Sequence, residues 1–377
     1  MLVKLFRLLL KTKYDFSEIK KKKIILFDCE NTISLEKLLF KKEYFILTTR
    51  YKNLKKIFIN FKLIKFFISK YNKNLNFKQN YLLSIIYLID PKIVITNIDT
   101  SKDFYCISRV IHKKIKCISA QWGARGDLFH ITDKERKKIF IPILFAFGNY
   151  EKKIFHLKKV SAKKIYSTGS ISLLHAYNFI NKKKLKKNKY DICLISEPHK
   201  ENSTDFNQIK NFADTVGKIA QFTHQICKEE NLKLVFSGEG EKKTLSGKNE
   251  IKFYNQYLNK FKIKQENRKK FPSYQNIFQS NLVIGHNSTM LREGIGLKKK
   301  VLYCNLSGSN LIQAPLPNTI MELKKDSYKI FKERVLYLLS LKTKNYFDKL
   351  NVSEDYLMTP PKKTYFLVKK LLSNYSK

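Results

Sequence analysis

Residues 281–305 read NLVIGHNSTMLREGIGLKKKVLYCN. The apolar run Leu282–Ile284 predicts a buried strand, and a helix follows it to about Leu297. A second apolar run, Val301–Asn305, predicts the next strand. Strand, helix and strand in this order form a βαβ unit, which places the two strands parallel in one sheet.

Short apolar runs alternate with segments of helical periodicity along the rest of the chain. The runs that predict further buried strands are Lys23–Phe27, Tyr44–Thr48, Lys92–Thr96, Lys116–Ser119, Ile143–Phe147, Ile165–Ser167, Tyr190–Ser196, Leu232–Phe236 and Ile251–Tyr254. They are continuous rather than alternating, which is typical of a sheet that helices cover on both faces. The clearest helix, Phe206–Cys227, repeats apolar residues at three- and four-residue spacing. The sequence therefore predicts an α/β protein with parallel sheets.

A chain of 377 residues is long enough for two domains. The apolar pattern stops at the basic run NKKKLKKNK, residues 181–189, and a run of like charge suits an exposed linker. We therefore expect an N-terminal Rossmann-like domain over residues 1–180. The C-terminal Rossmann-like domain would cover residues 190–377 and end in a helix, and the two sheets would face a central cleft.

The formal net charge is +44, from 75 Lys and Arg against 31 Asp and Glu, which raises the question of a nucleic-acid partner. Only eight of the basic residues are Arg, although phosphate and base recognition favours the planar guanidinium. The sequence contains no zinc-finger, RRM or KH signature. We therefore expect no specific nucleic-acid partner. We expect lysines that are solvated or attracted to an anionic membrane.

The six cysteines show no CxxC motif and no paired metal spacing, which argues against a zinc site and agrees with a reducing compartment. No apolar stretch approaches the ~18 residues of a membrane span. Residues 1–10 lack the features of a secretory signal. We expect a cytoplasmic protein that contacts the inner face of the cytoplasmic membrane peripherally.

The loop between the strand and the helix of the opening stretch holds candidate ligand-binding residues. Asn287, Ser288 and Thr289 can cap the helix, whose free N–H groups and positive dipole end form an anion site. The hydroxyls of Ser288 and Thr289 add donors for a phosphate. Glu293 can accept hydrogen bonds from ribose hydroxyls, and His286 lies in the same loop. The alternative is an ordinary N-cap followed by a surface acid.

Further candidate residues follow other predicted strands, where parallel sheets bind their ligands. They are Glu197, Ser237 and Gly238 in the second half, and Gln121, Gly123 and Arg125 in the loop QWGARGD of the first half. The backbone N–H groups at Gly238 could lie beside a nucleotide, and Arg125 can bind a phosphate or carboxylate through two hydrogen bonds. The alternatives are an ordinary turn at Gly238 and a surface ion pair at Arg125.

Five segments together resemble a family of surface-carbohydrate (lipopolysaccharide, O-antigen or capsule) biosynthesis proteins of the GT-B type. They are IVITNIDTSKDF at Ile93–Phe104, CISAQWGAR at Cys117–Arg125, FGNY at Phe147–Tyr150, STGS at Ser167–Ser170 and the stretch Asn281–Asn305. That last stretch is also similar, more distantly, to CDP-glycerol glycerophosphotransferases. The resemblance implies a GT-B-like fold with an N-terminal acceptor domain and a C-terminal nucleotide-donor domain.

The resemblance also implies a glycosyltransferase that moves a sugar from a nucleotide-sugar donor to a glycan or lipid-linked acceptor. GT-B enzymes usually take their catalytic base from the N-terminal domain, where Asp99, Glu30 and Asp127 follow predicted strands. Each of these acids could instead cap a helix. We expect no metal and no cofactor, because no DxD triplet occurs and a helix N-terminus can replace a cation at the leaving diphosphate.

Other functions stay open from the sequence. The same fold could serve a nucleotide-sugar epimerase or hydrolase, or a polyol-phosphate transferase. A lysine-rich nucleic-acid-binding protein is the alternative from another class, and it would bind arbitrary duplex with a steep salt dependence.

Overall fold

The structure is a computed structural model of the chain. It describes residues 13–28, 32–39, 43–50, 56–124, 139–157, 160–197, 212–238, 244–258, 270–308 and 314–376. The strands are β1 (Lys13–Asp15), β2 (Ile24–Phe27), β3 (Tyr44–Leu47), β4 (Lys56–Phe58), β5 (Ile93–Thr96), β6 (Lys116–Ala120), β7 (Phe140–Ala146), β8 (Ser161–Ser167), β9 (Tyr190–Ile195), β10 (Leu234–Ser237), β11 (Ser280–Gly285), β12 (Lys300–Cys304) and β13 (Glu322–Leu323). The helices are α1 (Ile33–Glu36), α2 (Phe61–Ser69), α3 (Phe77–Ile89), α4 (Lys102–Ile111), α5 (Asn149–Leu157), α6 (Ile171–Lys182), α7 (Phe212–Glu229), α8 (Leu245–Tyr254), α9 (Pro272–Phe278), α10 (Thr289–Gly296), α11 (Tyr328–Ser340), α12 (Thr343–Leu350), α13 (Glu354–Leu357) and α14 (Pro361–Ser376).

Two parallel sheets organise the described residues. The first sheet has the strand order β3-β2-β5-β6-β7-β8, and the second has the order β10-β9-β11-β12-β13. All neighbouring strands in both sheets pair in parallel. Strands β1 and β4 form a separate parallel pair. The predicted α/β class with parallel sheets is confirmed.

In each sheet the direction of strand addition reverses once, so that successive strands lie on opposite sides of a central strand. From β2 the chain adds β3 on one side and then β5 on the other, and from β9 it adds β10 on one side and then β11 on the other. The loops that leave the two adjacent strands diverge there, which opens a crevice at the carboxyl ends of the strands. In the second sheet this crevice lies between the loops after β9 and β11.

The central strands are buried on both faces, as their continuous apolar runs require, whereas β8 at the end of the first sheet is largely half-buried or exposed. Leu282, Val283 and Ile284 of β11 are fully buried, and so are Ile93 and Ile95 of β5. Ten of the predicted strands are present, with ends that differ by at most four residues from those predicted.

The strand predicted at Ile251–Tyr254 is wrong, because these residues form the last turn of α8. That helix begins after Thr244, whose hydroxyl accepts a hydrogen bond from the Gly247 N–H at 3.1 Å. Gly247, Glu250 and Tyr254 are its buried residues, and their spacing of three and four is the helical period. A four-residue apolar run is too short to distinguish the helical period from the strand period.

Two predicted helices are observed, one of them in part, and the structure shows on which half the C-terminal helix packs. Helix α7 covers the predicted helix from Phe212 onward, and its predicted start at residues 206–211 lies outside the described residues. The C-terminal helix α14 packs Val368 and Leu372 on the first sheet, against a cluster that includes Ile24 and Leu26. The end of the chain therefore returns to the N-terminal half. The limits of the two domains at residues 180 and 190 stay a prediction.

The helices were compared with the dimensions of a membrane span. Among the residues that the structure describes, none of the helices combines the length and the apolar content that crossing a bilayer requires.

Candidate active site

The crevice of the second sheet brings together backbone donors and one carboxylate. Glu197 follows β9, and its side chain accepts hydrogen bonds from the backbone N–H groups of His286 and Asn287 at 2.9 Å each. Gly285 leaves room for this contact, because a Cβ atom there would lie 3.3 Å from Glu197 Oε1. Three predicted binding residues, from two loops that lie 89 positions apart in the sequence, thus meet at the point where parallel sheets bind ligands.

Helix α10 begins beside this crevice. Ser288 is the N-cap, and its hydroxyl accepts a hydrogen bond from the Met290 N–H at 3.2 Å. Thr289 Oγ1 accepts a hydrogen bond from the N–H of Ala124, in the loop after β6, at 2.9 Å. The first turn of α10 therefore lies where the N-terminal and C-terminal halves meet. The N–H groups and dipole of such a turn attract an anion.

His286 is a buried, neutral histidine next to this turn. Its Nδ1 lies 2.6 Å from the carbonyl oxygen of Cys304, so Nδ1 carries the proton and donates it. Burial lowers the pKa of His286 to about 4. Its Nε2 is also buried and has no hydrogen-bond partner among the described residues. The ring therefore keeps one acceptor nitrogen unused.

Glu293 lies in the second turn of α10 and is buried, whereas an ordinary surface acid would be exposed. Its carboxylate accepts hydrogen bonds from the hydroxyls of Ser170 at 2.6 Å and Tyr274 at 2.9 Å. Ser170 belongs to the N-terminal half, so this contact joins the two halves. Burial raises the pKa of Glu293 to about 7. A contact between Glu293 and a ribose stays a prediction.

A second buried contact between the halves was not anticipated from the sequence. Arg292 Nη2 donates to Glu151 Oε1 at 2.7 Å and also to the carbonyl oxygen of Leu357. The guanidinium lies over the ring of Tyr150, 4.9 Å from its centroid. Both charged side chains are buried. The only sequence signal was that each residue lies in or near a loop after a predicted strand.

Known protein structures identify the fold that carries this site. The sequence matches no family model and no curated protein. Solved structures, in contrast, superpose on nearly the whole chain. The chain has the GT-B fold.

Three solved structures illustrate the similarity. UDP-GlcNAc 2-epimerase from Methanocaldococcus jannaschii, in complex with UDP-GlcNAc and UDP, has a TM-score of 0.54 at 14% identity and covers 94% of this chain and 100% of its own. UDP-GlcNAc 2-epimerase from Neisseria meningitidis, bound to UDP-GlcNAc, has a TM-score of 0.53 at 14% identity with the same two coverages. The wall teichoic acid polymerase TagF has a TM-score of 0.51 at 10% identity, over 94% of this chain and 89% of its own. Identities this low show a shared fold alone.

The first sheet of this GT-B fold places two carboxylates at its carboxyl edge. Asp99 is buried after β5, and its Oδ1 accepts a hydrogen bond from the Trp122 N–H at 3.2 Å. Asp28, directly after β2, was missed in the sequence. Its Oδ2 accepts hydrogen bonds from Thr49 Oγ1 at 2.9 Å and Arg50 Nε at 2.8 Å. Its position after a predicted strand was the signal that could have revealed it.

Gln121 and Gly123 shape the loop after β6. The Gln121 side chain donates to the Gly123 carbonyl at 2.9 Å and accepts from the Phe147 N–H at 2.9 Å. These bonds hold the loop that carries Ala124 toward α10. Three other predicted site residues of this half lie outside the described residues: Glu30, Arg125 and Asp127.

Ser237 and Gly238 contact α9 at the end of β10. Ser237 is buried, and its hydroxyl accepts a hydrogen bond from Asn276 Nδ2 at 3.3 Å. The Gly238 carbonyl accepts one from the Ser273 hydroxyl at 3.3 Å. Their role toward a nucleotide stays a prediction. Within the described ranges, no group of three or more His, Cys, Asp or Glu side chains is placed to hold a metal ion.

Proposed function

We propose that this protein is a glycosyltransferase that moves a sugar from a nucleotide-sugar donor to a cell-surface polysaccharide or lipopolysaccharide precursor. The observation that carries the proposal is the position of α10, whose first turn adjoins the crevice of the second sheet and contacts Ala124 of the other half through Thr289. A donor diphosphate at this turn would hold its sugar toward the first sheet. The solved structures of UDP-GlcNAc 2-epimerases with bound UDP-GlcNAc support a nucleotide-sugar ligand for this fold.

The hydrogen bonds already present in the crevice support a particular set of donors for the diphosphate. The Glu197 carboxylate already accepts the N–H groups of His286 and Asn287. A diphosphate would therefore bind the next donors along the chain, the backbone N–H groups and hydroxyls of Ser288 and Thr289. These lie at the positive end of the helix dipole, which favours a leaving diphosphate without a cation.

The acceptor and its catalytic base would lie at the carboxyl edge of the first sheet. Of the three candidate bases, Asp99 lies at this edge, and Glu30 and Asp127 lie outside the described residues. A carboxylate there can take the proton of an attacking acceptor hydroxyl. The lipid-linked acceptors of such reactions reside at the inner membrane face, which agrees with the net charge of +44.

A thermal-shift screen of UDP-, CDP-, GDP- and CMP-sugars tests the donor site. A ligand at 100 times its dissociation constant adds about 2.7 kcal/mol to the free energy of unfolding. We expect Ser288→Ala to reduce the ligand-induced shift. Ser101→Ala is the matched control, because Ser101 is the N-cap of α4 and accepts from the Phe104 N–H. An equal ligand-induced shift in Ser288→Ala and wild type would refute the donor site.

A nucleotide-sugar epimerase or hydrolase is the second candidate, because the two epimerase structures above share this fold. It predicts conversion of the donor in the absence of any acceptor, whereas a transferase requires both substrates. Polyol-phosphate transfer, the third reaction on this fold, predicts a response to CDP-polyols in the same screen. Product analysis with and without a glycan acceptor separates these reactions.

A further inference from the structure

The outer face of α2 is apolar. Phe61, Ile64 and Ile68 recur at three- and four-residue spacing, and they are 82%, 48% and 71% exposed. Leu63, on the inner side of the same helix, is buried in the core of the first sheet. A helix with a core-facing stripe normally exposes polar residues on the other side. An exposed apolar stripe of this kind is typical of a surface that contacts a membrane or another protein.

The apolar surface continues from α2 onto the start of α3. Phe77 is 73% exposed, and its ring centroid lies 5.2 Å from that of Phe67. Together with Ile59 and Ile64, these two rings line a groove of about 400 Å³. The stripe and the groove form one continuous apolar surface on the N-terminal half.

The charge around this surface is mainly positive. Residues 56–89 contain six Lys and no Asp or Glu. The other side of α2 borders a cavity of about 1120 Å³, and seven lysines line it: Lys20, Lys21, Lys62, Lys70, Lys92, Lys114 and Lys116. The two acids of that cavity, Glu18 and Asp90, are in ion pairs with Lys62 and Lys21. An apolar stripe thus lies beside a strongly basic cavity.

We propose that this surface, the α2 face (Phe61, Ile64, Ile68 and Phe77 with the adjoining basic cavity), docks onto an anionic lipid bilayer. The apolar side chains would enter the boundary between headgroups and acyl chains, and the lysines would contact lipid phosphates. A second copy of the chain fits less well, because two basic cavities would be brought together. A nucleic acid leaves the apolar stripe unused, since its interfaces are polar. The inference goes beyond the proposed function and does not require donor binding.

Co-sedimentation of the full chain with vesicles tests the proposal. We expect binding to mixed phosphatidylglycerol–phosphatidylcholine vesicles and much weaker binding to phosphatidylcholine alone. Phe61→Ser with Ile68→Ser should lower the partition coefficient on the mixed vesicles by about tenfold or more, because both side chains lose apolar area. The matched control is Leu157→Ser with Leu245→Ser, at positions that are 60% and 75% exposed away from α2. It should bind like wild type.

Two results would overturn the inference. The first is equal binding of wild type and Phe61→Ser/Ile68→Ser, with salt alone abolishing both, which would assign binding to the overall charge. The second is an equal loss in the α2 variant and in its control. An error in the proposed donor site would instead appear in the nucleotide thermal-shift screen. The Phe61→Ser/Ile68→Ser variant should give the same ligand-induced shifts in that screen as wild type.

Discussion

Glu151 and Glu293 are both buried where the two halves meet, yet their partners differ. Glu151 accepts hydrogen bonds from the Arg292 guanidinium at 2.7 Å and the Gly148 N–H at 2.9 Å. Glu293 accepts only from the hydroxyls of Ser170 and Tyr274 among the described residues. Burial raises the pKa of both carboxyls, but only Glu151 has a cation that opposes the rise. The stability of the contact between Glu151 and Arg292 therefore depends on a charge pair. The stability of the contact that Glu293 makes with Ser170 and Tyr274 depends on pH.

Removing the cation should have the largest effect. We expect Arg292→Met to lower the free energy of unfolding by about 3–5 kcal/mol, because Glu151 would stay buried without a counter-charge. Urea denaturation measures this loss. The double variant Glu151→Gln/Arg292→Met should recover most of it, since a neutral amide needs no cation. A double variant as unstable as the single one would show that the ion pair itself is not the cause.

Replacing Glu293 by a neutral residue should remove a pH dependence of the free energy of unfolding. Its pKa in the folded protein is raised from 4.5 to about 7, so the folded state holds a proton that the unfolded state has released. This contribution to stability is complete below pH 4.5 and is lost as pH rises through 7. The loss is on the order of 3 kcal/mol above pH 8, from ~1.4 kcal/mol per pKa unit.

Glu293→Gln should therefore become more stable relative to wild type as pH rises from 5 to 8. Urea denaturation across this pH range measures the difference in the free energy of unfolding between the two proteins. The part of that difference that does not change with pH reports altered hydrogen bonding. Tyr274→Phe keeps the carboxyl and should keep the slope. A difference between wild type and Glu293→Gln that stays constant with pH would contradict a carboxyl that titrates near neutrality.

The smallest expected effect concerns the hydrogen bond between Thr289 and Ala124. Thr289→Val keeps the side-chain shape and leaves the Ala124 N–H without its acceptor, which should cost about 1 kcal/mol. Thermal unfolding measures it. Thr343→Val, at an exposed position at the start of α12, is the control. Equal melting temperatures for the two variants would mean that this bond adds nothing to the contact between the halves.

Most of the sheet strands could be predicted because a strand in a doubly covered sheet must be apolar throughout. Leu282–Ile284 and Ile93–Thr96 carry that property in their own residues. The strand prediction at Ile251–Tyr254 was wrong because the pattern within this run is ambiguous. Four apolar residues fit both periods, and the Thr244 cap that starts α8 lies outside the run. Strands β1 and β4, which pair apart from the two main sheets, were missed because their runs are short and only partly apolar.

The candidate site was predictable as separate loops. Ser288 and Glu197 were identified because each follows a buried strand, where parallel sheets bind ligands. That Glu197 accepts the N–H groups of the loop before Ser288 could not be predicted, since strand order is not readable from one sequence. The pair Glu151–Arg292 was missed for the same reason: the two residues are 141 positions apart.

The amino-acid sequence by itself determined the fold class and the helix that follows the loop at residues 286–288, because apolar periodicity and capping residues act over a few neighbouring positions. Only the tertiary structure decided which carboxylates meet cations and which meet hydroxyls. It also decided that the apolar side chains on the outer face of α2 are exposed. Burial and charge pairing depend on residues that lie far apart in the chain, so no local pattern records them.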